Sequence, residues 1–259
     1  MEITEPTREQ VLEFCAREPV ERVFLEDVAR RGLGRFAAVE RRDGTLASLC
    51  HVGANLVPSG EGCREYRRAA ARSRARMIIG EAAAVSELWD AARGALPDPR
   101  EDRPGQPVYV ISEPPPAGES GLREARHGDL DVLVPACAAA HALELGVDPL
   151  ARDDVGFRWR TSAQIDEHRS WAWIEDGVVL FKAEASAWTP AAVQLQQVWV
   201  DPAVRGRGYG ARGLRDLIRL LLGGTPTVTL FVRAENAPAI RLYESIGMQH
   251  VLDYRSILF

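Results

Sequence analysis

Between Val198 and Gly210 the chain reads VWVDPAVRGRGYG. An alternating apolar run stops at Asp201-Pro202, gives way to three glycines at every second position, and leads into a helical pattern. Glycine lets the backbone turn its N–H groups inward without a Cβ in the way. A helix N-terminus adds partial positive charge. Together they form a cradle suited to a diphosphate. Arg205 and Arg207 bring charge-assisted donors to the same loop. Dinucleotide-binding folds use similar glycines, but here V-x-V-x-P-x-x-R precedes them and no acidic ribose ligand follows on a second strand.

A second stretch, NAPAIRLYESIG, places Asn236 as a helix N-cap, Pro238 in the first turn and Gly247 as the stop. It carries Tyr243, a phenol that is a proton donor at neutral pH. Glu184 and Lys182 alternate on one strand and so share a face. Glu144 and His141 sit near the end of a helix read over Asp129–Gly146.

These residues need a scaffold of strands and helices. VQLQQVWV (Val193–Val200) alternates as a strand. Leu214, Leu217, Ile218, Leu221 and Leu222 follow at helical spacing, stopped by Gly223-Gly224. WAWIE-DG-VVLFKAEA is a hairpin about Asp176-Gly177. TVTLFV and HVLDYRSILF are strands, and Ser162–His168 reads as a further helix. The order predicts an α/β (α+β) domain around a mixed sheet.

The first half repeats the rhythm: helices over Thr7–Arg17 and Val20–Arg31, a hairpin RFAAVERR-DG-TLASLCHV, a strand ANLVP, a helix over Arg64–Arg74, a strand MIIG and a helix over Ala82–Ala95. The pattern is that of a worn internal duplication. EPPPAGES at Glu113–Ser120 reads as a semi-rigid spacer, with the domain boundary near residue 117. LPDPREDRPGQP at Leu96–Pro107 reads as a Pro-rich loop leading into VYVIS.

The 259 residues are 46% hydrophobic and 27% charged, an ordinary globular composition that excludes a disordered or fibrous chain. Net charge is −5, so no basic face for a nucleic acid is expected. Lys182 is the only lysine among 32 cationic residues. The four cysteines form no C-x-x-C pair, which excludes a zinc-site spacing, and read as small buried hydrophobes of a reducing compartment. The start, MEITEPTREQ, has no apolar stretch, and no apolar run reaches the ~20 residues of a membrane span. A cytoplasmic protein without a membrane partner, monomeric or homodimeric, is the expectation. The tryptophans at 159, 171, 173, 188 and 199 read as core, with Trp199, on the strand that runs into the glycine loop, the exception.

V-x-V-x-P-x-x-R-G-R-G-Y-G, followed by L-F-V-R-A-E-N-A-P-A-I-R-L-Y-E-S-I-G-M, resembles the GNAT family of acetyl-CoA-dependent N-acyltransferases. The resemblance covers roughly residues 121–259. Segments such as GANLVP and RPGQP are similar to an actinobacterial two-part subgroup with an uncharacterised GNAT-like N-terminal domain. It implies tandem GNAT-like domains, 1–117 degenerate and 118–259 catalytic, each a mostly antiparallel twisted sheet flanked by helices. It further implies acetyl-CoA or another acyl-CoA as cosubstrate, no metal, and a small-molecule or protein amine as acceptor.

By the resemblance, backbone groups of Val198, Trp199 and Val200 would pair with the pantetheine arm. Arg205, Gly206, Arg207, Gly208, Tyr209, Gly210 and Ala211 would hold the pyrophosphate. Asn236 and Ala239 would meet the arm, and Tyr243 would protonate the leaving thiolate. The family's glutamate on the strand before the loop is replaced by Gln194, Gln196 and Gln197, so Glu184, Glu144, His141 or a water chain remain open as general base. The first-half counterpart of the loop, Pro58–Arg64, carries Glu61 and no arginine matching Arg205, and reads as non-catalytic. A tRNA-dependent aminoacyltransferase and a non-catalytic acyl-CoA sensor are the competing readings.

Overall fold

The computed structural model describes residues 3–259. The first half runs β1 (Ile3–Thr4), α1 (Arg8–Ala16), α2 (Val23–Arg30), β2 (Arg35–Glu40), β3 (Leu46–Val52), β4 (Leu56–Gly60), α3 (Arg67–Arg72), β5 (Met77–Glu81), α4 (Ala82–Ala92), β6 (Glu101–Ile111). The second runs β7 (Leu122–Glu124), α5 (Leu130–Leu145), α6 (Pro149–Asp166), β8 (Ser170–Glu175), β9 (Val178–Trp188), β10 (Val193–Val200), α7 (Tyr209–Leu222), β11 (Val228–Phe231), α8 (Ala237–Ser245), β12 (Gln249–Leu258). The order of helices and strands is the same in both. In each half a short 3₁₀ turn follows the fourth strand, Cys63–Tyr66 in one and Pro202–Val204 in the other.

All strands join one sheet in the order β1-β2-β3-β4-β5-β12-β6-β11-β10-β9-β8-β7. The two halves exchange their last strands. β6 pairs with β11, while β12 lies between β5 and β6 and pairs with both. A seam of main-chain hydrogen bonds therefore crosses from half to half. The cross-half packing continues in α2, whose Val23 is buried with Ala187 and Ala192 of the second half. Asp27 of the same helix accepts from both terminal nitrogens of Arg169, at 2.7 and 3.1 Å, out of water.

Local chemistry explains most element ends. Thr7 and Gln10 form a reciprocal capping box on α1. Gly146 ends α5 in the left-handed conformation, φ 67°. α7 buries Leu214, Leu217, Ile218 and Leu221 against the sheet. It lies so close that a Cβ at Gly213 would sit 2.6 Å from the Phe181 ring.

Four expectations change. The Pro-rich stretch from Leu96 is strand from Glu101 onward: opposite β12 it bulges between Arg103 and Gln106, and Pro104 and Gly105 occupy the bulge. Proline is tolerated there because no ladder N–H is required. α6 begins at Pro149, well before Ser162, and continues through a kink at Asp153. The helix expected over Arg64–Arg74 is a 3₁₀ turn followed by only six α-helical residues. The EPPPAGES segment is not a free spacer. Asp216 of α7 accepts from the Gly118 and Ser120 amides at 2.6 and 2.8 Å, and Arg219 donates to the Pro115 carbonyl at 2.9 Å. No helix among the described residues is long and apolar enough to cross a membrane.

Candidate active site

β10 and β11 are parallel neighbours only at Val193↔Val228 and Gln194↔Thr229. Beyond Gln194 the strands diverge, and the edge of β10 facing β11 has no strand partner. On its other edge β10 pairs with β9 through a bulge, where the register moves from Gln196↔Glu184 to Trp199↔Lys182. Gln197 sits within it at φ 54°, a left-handed conformation costing roughly 1–2 kcal/mol for a residue with a Cβ. Beyond the bulge, Val198 and Val200 pack toward the core that holds Leu214 and Tyr243, while Trp199 packs with Leu133 and Ala136 of α5. The divergence opens a cleft of about 1490 Å³.

The glycine loop forms one wall. Asp201 caps the turn at Pro202 by accepting from the Ala203 amide at 2.7 Å. Gly206 and Gly208 follow at φ 77° and 83°, and α7 starts directly after Gly208. A Cβ on either glycine would meet nothing within 4 Å. Left-handed backbone, rather than crowding, is what demands glycine here. Gly210 is different: its Cβ would meet Val200 and Leu242 side chains at 3.2 and 3.4 Å. The free N–H groups of the first turn of α7 open beside Arg205, whose Nε donates to the Val200 carbonyl at 3.2 Å. Arg205, Gly206, Gly208, Tyr209, Gly210 and Ala211 all line the cleft; Arg207 is exposed and does not.

α8 supplies the facing wall. Asn236 caps it, accepting from the Ala239 amide at 3.3 Å, and both residues line the cleft. Tyr243, 6% exposed, lines it one helical turn further on, its ring 5.9 Å from that of Tyr109. Burial, reinforced by the charge of Glu144, pushes the Tyr243 phenol above its ordinary range. It is a proton donor across the physiological range.

Glu184, Glu144 and His141 reach the same cleft. Glu184 forms a buried cluster rather than a surface pair. Its Oε1 lies 2.5 Å from Lys182 Nζ and accepts from Cys137 Sγ at 3.3 Å, and Lys182 also donates to Cys137 at 3.1 Å. Burial works against the Lys182 ammonium, but Glu184 and Cys137 outweigh it and hold the pKa above the usual value. Burial pushes the Cys137 thiol up to about 11. Glu144 accepts from Arg103 of β6 at 2.7 Å. His141 meets the Phe157 ring edge-on at 5.8 Å, and burial, with Arg160 behind it, lowers its pKa. Gln194, Gln196 and Gln197 line the cleft from β10.

Cys137 and Trp159 line the cleft although the sequence pattern does not place them there. Cys137 stands one turn before His141, and that four-residue spacing on one helix face was the available signal. Trp159, expected in the core, is 70% exposed on α6 and lines the cleft. A helix expected only from Ser162 leaves Trp159 outside it, whereas α6 spans Pro149–Asp166 and turns this side chain outward.

The matching loop of the first half is already filled. The amides of Gly62 and Cys63 donate to Glu87 Oε2 of α4 at 3.1 and 3.0 Å, and Arg64 meets Oε1 at 2.9 Å.

Residues 34–133 match a domain of unknown function (DUF4081), and residues 140–248 match the acetyltransferase (GNAT) family. The chain is 44% identical over 62 residues to the N-alpha-acetyltransferase RimI of Mycobacterium tuberculosis, covering 24% of this chain and 38% of that one. It is 35% identical over 126 residues to the mycothiol acetyltransferase of Mycobacterium sp. (strain JLS), covering 39% and 42%. The matched region thus spans about two-fifths of the length of these curated relatives. Among solved structures, a GCN5-related N-acetyltransferase from Sphaerobacter thermophilus superposes with TM-score 0.61 at 18% identity, covering 99% and 94% of the chains. A tandem GNAT protein from the clavulanic acid biosynthesis pathway gives 0.57 at 12%, covering 99% and 98%. These likenesses show the fold.

Proposed function

Residues 140–248 match the acetyltransferase (GNAT) family, and we propose that the protein transfers an acetyl or other acyl group from CoA to a primary amine of a small molecule or protein. The observation that carries this reading is a convergence on one cleft: an unpaired strand edge, a glycine-turned helix N-terminus and a buried protonated phenol. The pantetheine arm extends β10 as an added strand. The pyrophosphate sits on the amides opening α7, with Arg205 beside it. The first half is a degenerate copy that holds no CoA.

The acceptor amine must be neutral to attack. Its lone pair forms the C–N bond at the thioester carbonyl, the C–S bond breaks, and the thiolate takes the Tyr243 proton. Glu184 is the best placed to receive the amine's proton. Both of its contacts fall on Oε1, which leaves Oε2 for the acceptor. Glu144 is committed to Arg103, and His141, its pKa lowered by burial and by Arg160, faces the Phe157 ring edge.

The test is release of free CoA thiol from acetyl-CoA on addition of a panel of primary amines. Turnover with at least one amine, lost in Glu184→Gln, supports the reading. CoA binding without turnover on any amine replaces it with an acyl-CoA sensor.

A further inference from the structure

The cleft does not end at the thioester. It continues across the strand-exchange seam to Glu21, Ser59 and Glu81 of the first half. Glu81, Tyr254 and Gln106 are direct cross-strand partners on β5, β12 and β6, so their side chains stand on one face in one row. Tyr254 donates to the Glu21 carbonyl at 2.7 Å, which fixes Glu21 over that row. Ser59 donates to Glu21 Oε1 at 3.0 Å and receives from Arg22 Nε at 3.0 Å.

At this end of the cleft the unpartnered group is an acceptor; the unpartnered donor of the seam, Arg103 Nε, lies further along it. Gln106 is 2% exposed, lines the cleft, and its buried Oε1 has no hydrogen-bond partner among the described residues. A buried acceptor left unpaired costs about 1–3 kcal/mol. Two carboxylates, Glu21 and Glu81, share the end with one guanidinium. That guanidinium, Arg22, donates to Ser59 and, at 2.8 Å, to the Phe14 carbonyl, and its Nε stands 3.5 Å from Glu21 Oε1, so it offsets Glu21 and leaves Glu81 with no ion pair among the described residues. Burial and the neighbouring Glu21 charge raise the pKa of Glu81. Arg103, further along the seam, is neutralised by Glu101 and Glu144 at 2.6 and 2.7 Å. What this end lacks is a cation with N–H donors and no acceptor, a demand that the ammonium of an amine substrate meets.

We propose that the seam end of the cleft, formed by Glu21, Glu81 and Gln106, binds a second ammonium of the acceptor, so that the preferred acceptors are diamines and longer polyamines. The proposal rests on the amine-acylating reading above. From β5 to β11 there are three strand spacings, about 14 Å, which sets the separation between the reacting amine and the second charge. The site exists only because the halves exchange strands. β6 and β12 each bring one residue of the row into a pocket that neither half builds alone.

The test is calorimetric titration of the full chain, saturated with CoA, using spermine, 1,10-diaminodecane and hexylamine. The long diamines bind at least tenfold more tightly than hexylamine. Glu81→Gln, which keeps the side-chain shape, lowers that preference about tenfold and leaves CoA affinity intact. Glu21→Gln does the same and stands in if Glu81→Gln fails to fold. Equal affinity for diamine and monoamine in the unaltered chain, or a preference untouched by both variants, overturns the proposal. Diamine binding without acetyl transfer would instead sink the catalytic reading and leave the subsite standing.

Discussion

The two halves carry the same strand–turn–helix corner and put it to opposite uses. In the second half, Gly208 opens into α7 and the first-turn amides face the cleft. In the first half, Gly62 is left-handed in the same way, at φ 82°, but Glu87 closes on the Gly62 and Cys63 amides. Counting from the helix starts, Glu87 is the sixth residue of α4 and Leu242 the sixth of α8, and Leu242 stands against Gly210 of the working loop. The seventh residues are Leu88, wholly buried, and Tyr243. The corner needs its left-handed turn to pass from strand to helix, and that turn always presents N–H donors that require a partner. In the first half the chain supplies a carboxylate of its own. On the proposed reading, the sixth residue decides who occupies the nest and the seventh whether a proton donor stands beside it.

Each element of that contrast is open to attack. Tyr243→Phe keeps the ring and its packing but deletes the proton donor. Its kcat falls about 10²–10⁴-fold while CoA affinity survives; a kcat within threefold of the unaltered chain would return Tyr243 to a packing role. Leu242→Glu transplants the first-half plug into the working cradle. CoA affinity falls at least tenfold, ~1.4 kcal/mol, with melting behaviour retained; unchanged affinity would show that the sixth position does not face the pyrophosphate.

Glu87→Leu removes the plug where it occurs naturally. The two amides lose their partner, at a cost of about 1–3 kcal/mol in denaturant unfolding, while acetyl transfer per folded molecule is unaltered. A variant as stable as the parent would mean that solvent serves those amides equally well.

A smaller effect concerns pH. His51 is packed edge-on to Phe24 and Phe36, and burial lowers its pKa. The unfolded chain takes up that proton near pH 6.5, before the folded protein does. Stability therefore falls as pH drops through 6.5 toward the folded pKa, and is flat below it. His141 has the same sign. His51→Leu reduces the loss of Tm between pH 7 and 5; an unchanged slope would clear His51 of the effect.

Much of this was legible beforehand. The hairpins about Asp43-Gly44 and Asp176-Gly177, the strand Val193–Val200 and the helix after Gly208 all stand where local pattern puts them. Local signals are strong where turn chemistry and periodicity agree. The strand exchange was not legible, because pairing of β6 with β11 and of β12 with β5 is a property of long-range register rather than of either segment. The first-half plug was half visible. Glu61 pointed to an anion-repelling loop, yet its side chain is exposed and meets Arg41 at 3.5 Å. The carboxylate that fills the nest comes from Glu87, on the helix beyond β5. Lys182 looked singular by composition, but its full burial against Cys137 and Glu184 needed the packing of α5 onto β9.

On the proposed reading, one of two similar corners binds CoA and the other binds the chain itself. Calorimetric titration of CoA into the full chain and into two matched variants, Gly208→Val and Gly62→Val, tests it directly. Both substitutions force a β-branched residue into left-handed backbone, so both destabilise, by roughly 1–2 kcal/mol or more. The expected result is one CoA per chain, lost in Gly208→Val and retained at parental affinity in Gly62→Val. Two CoA per chain, or a site lost with Gly62 and kept without Gly208, would contradict it.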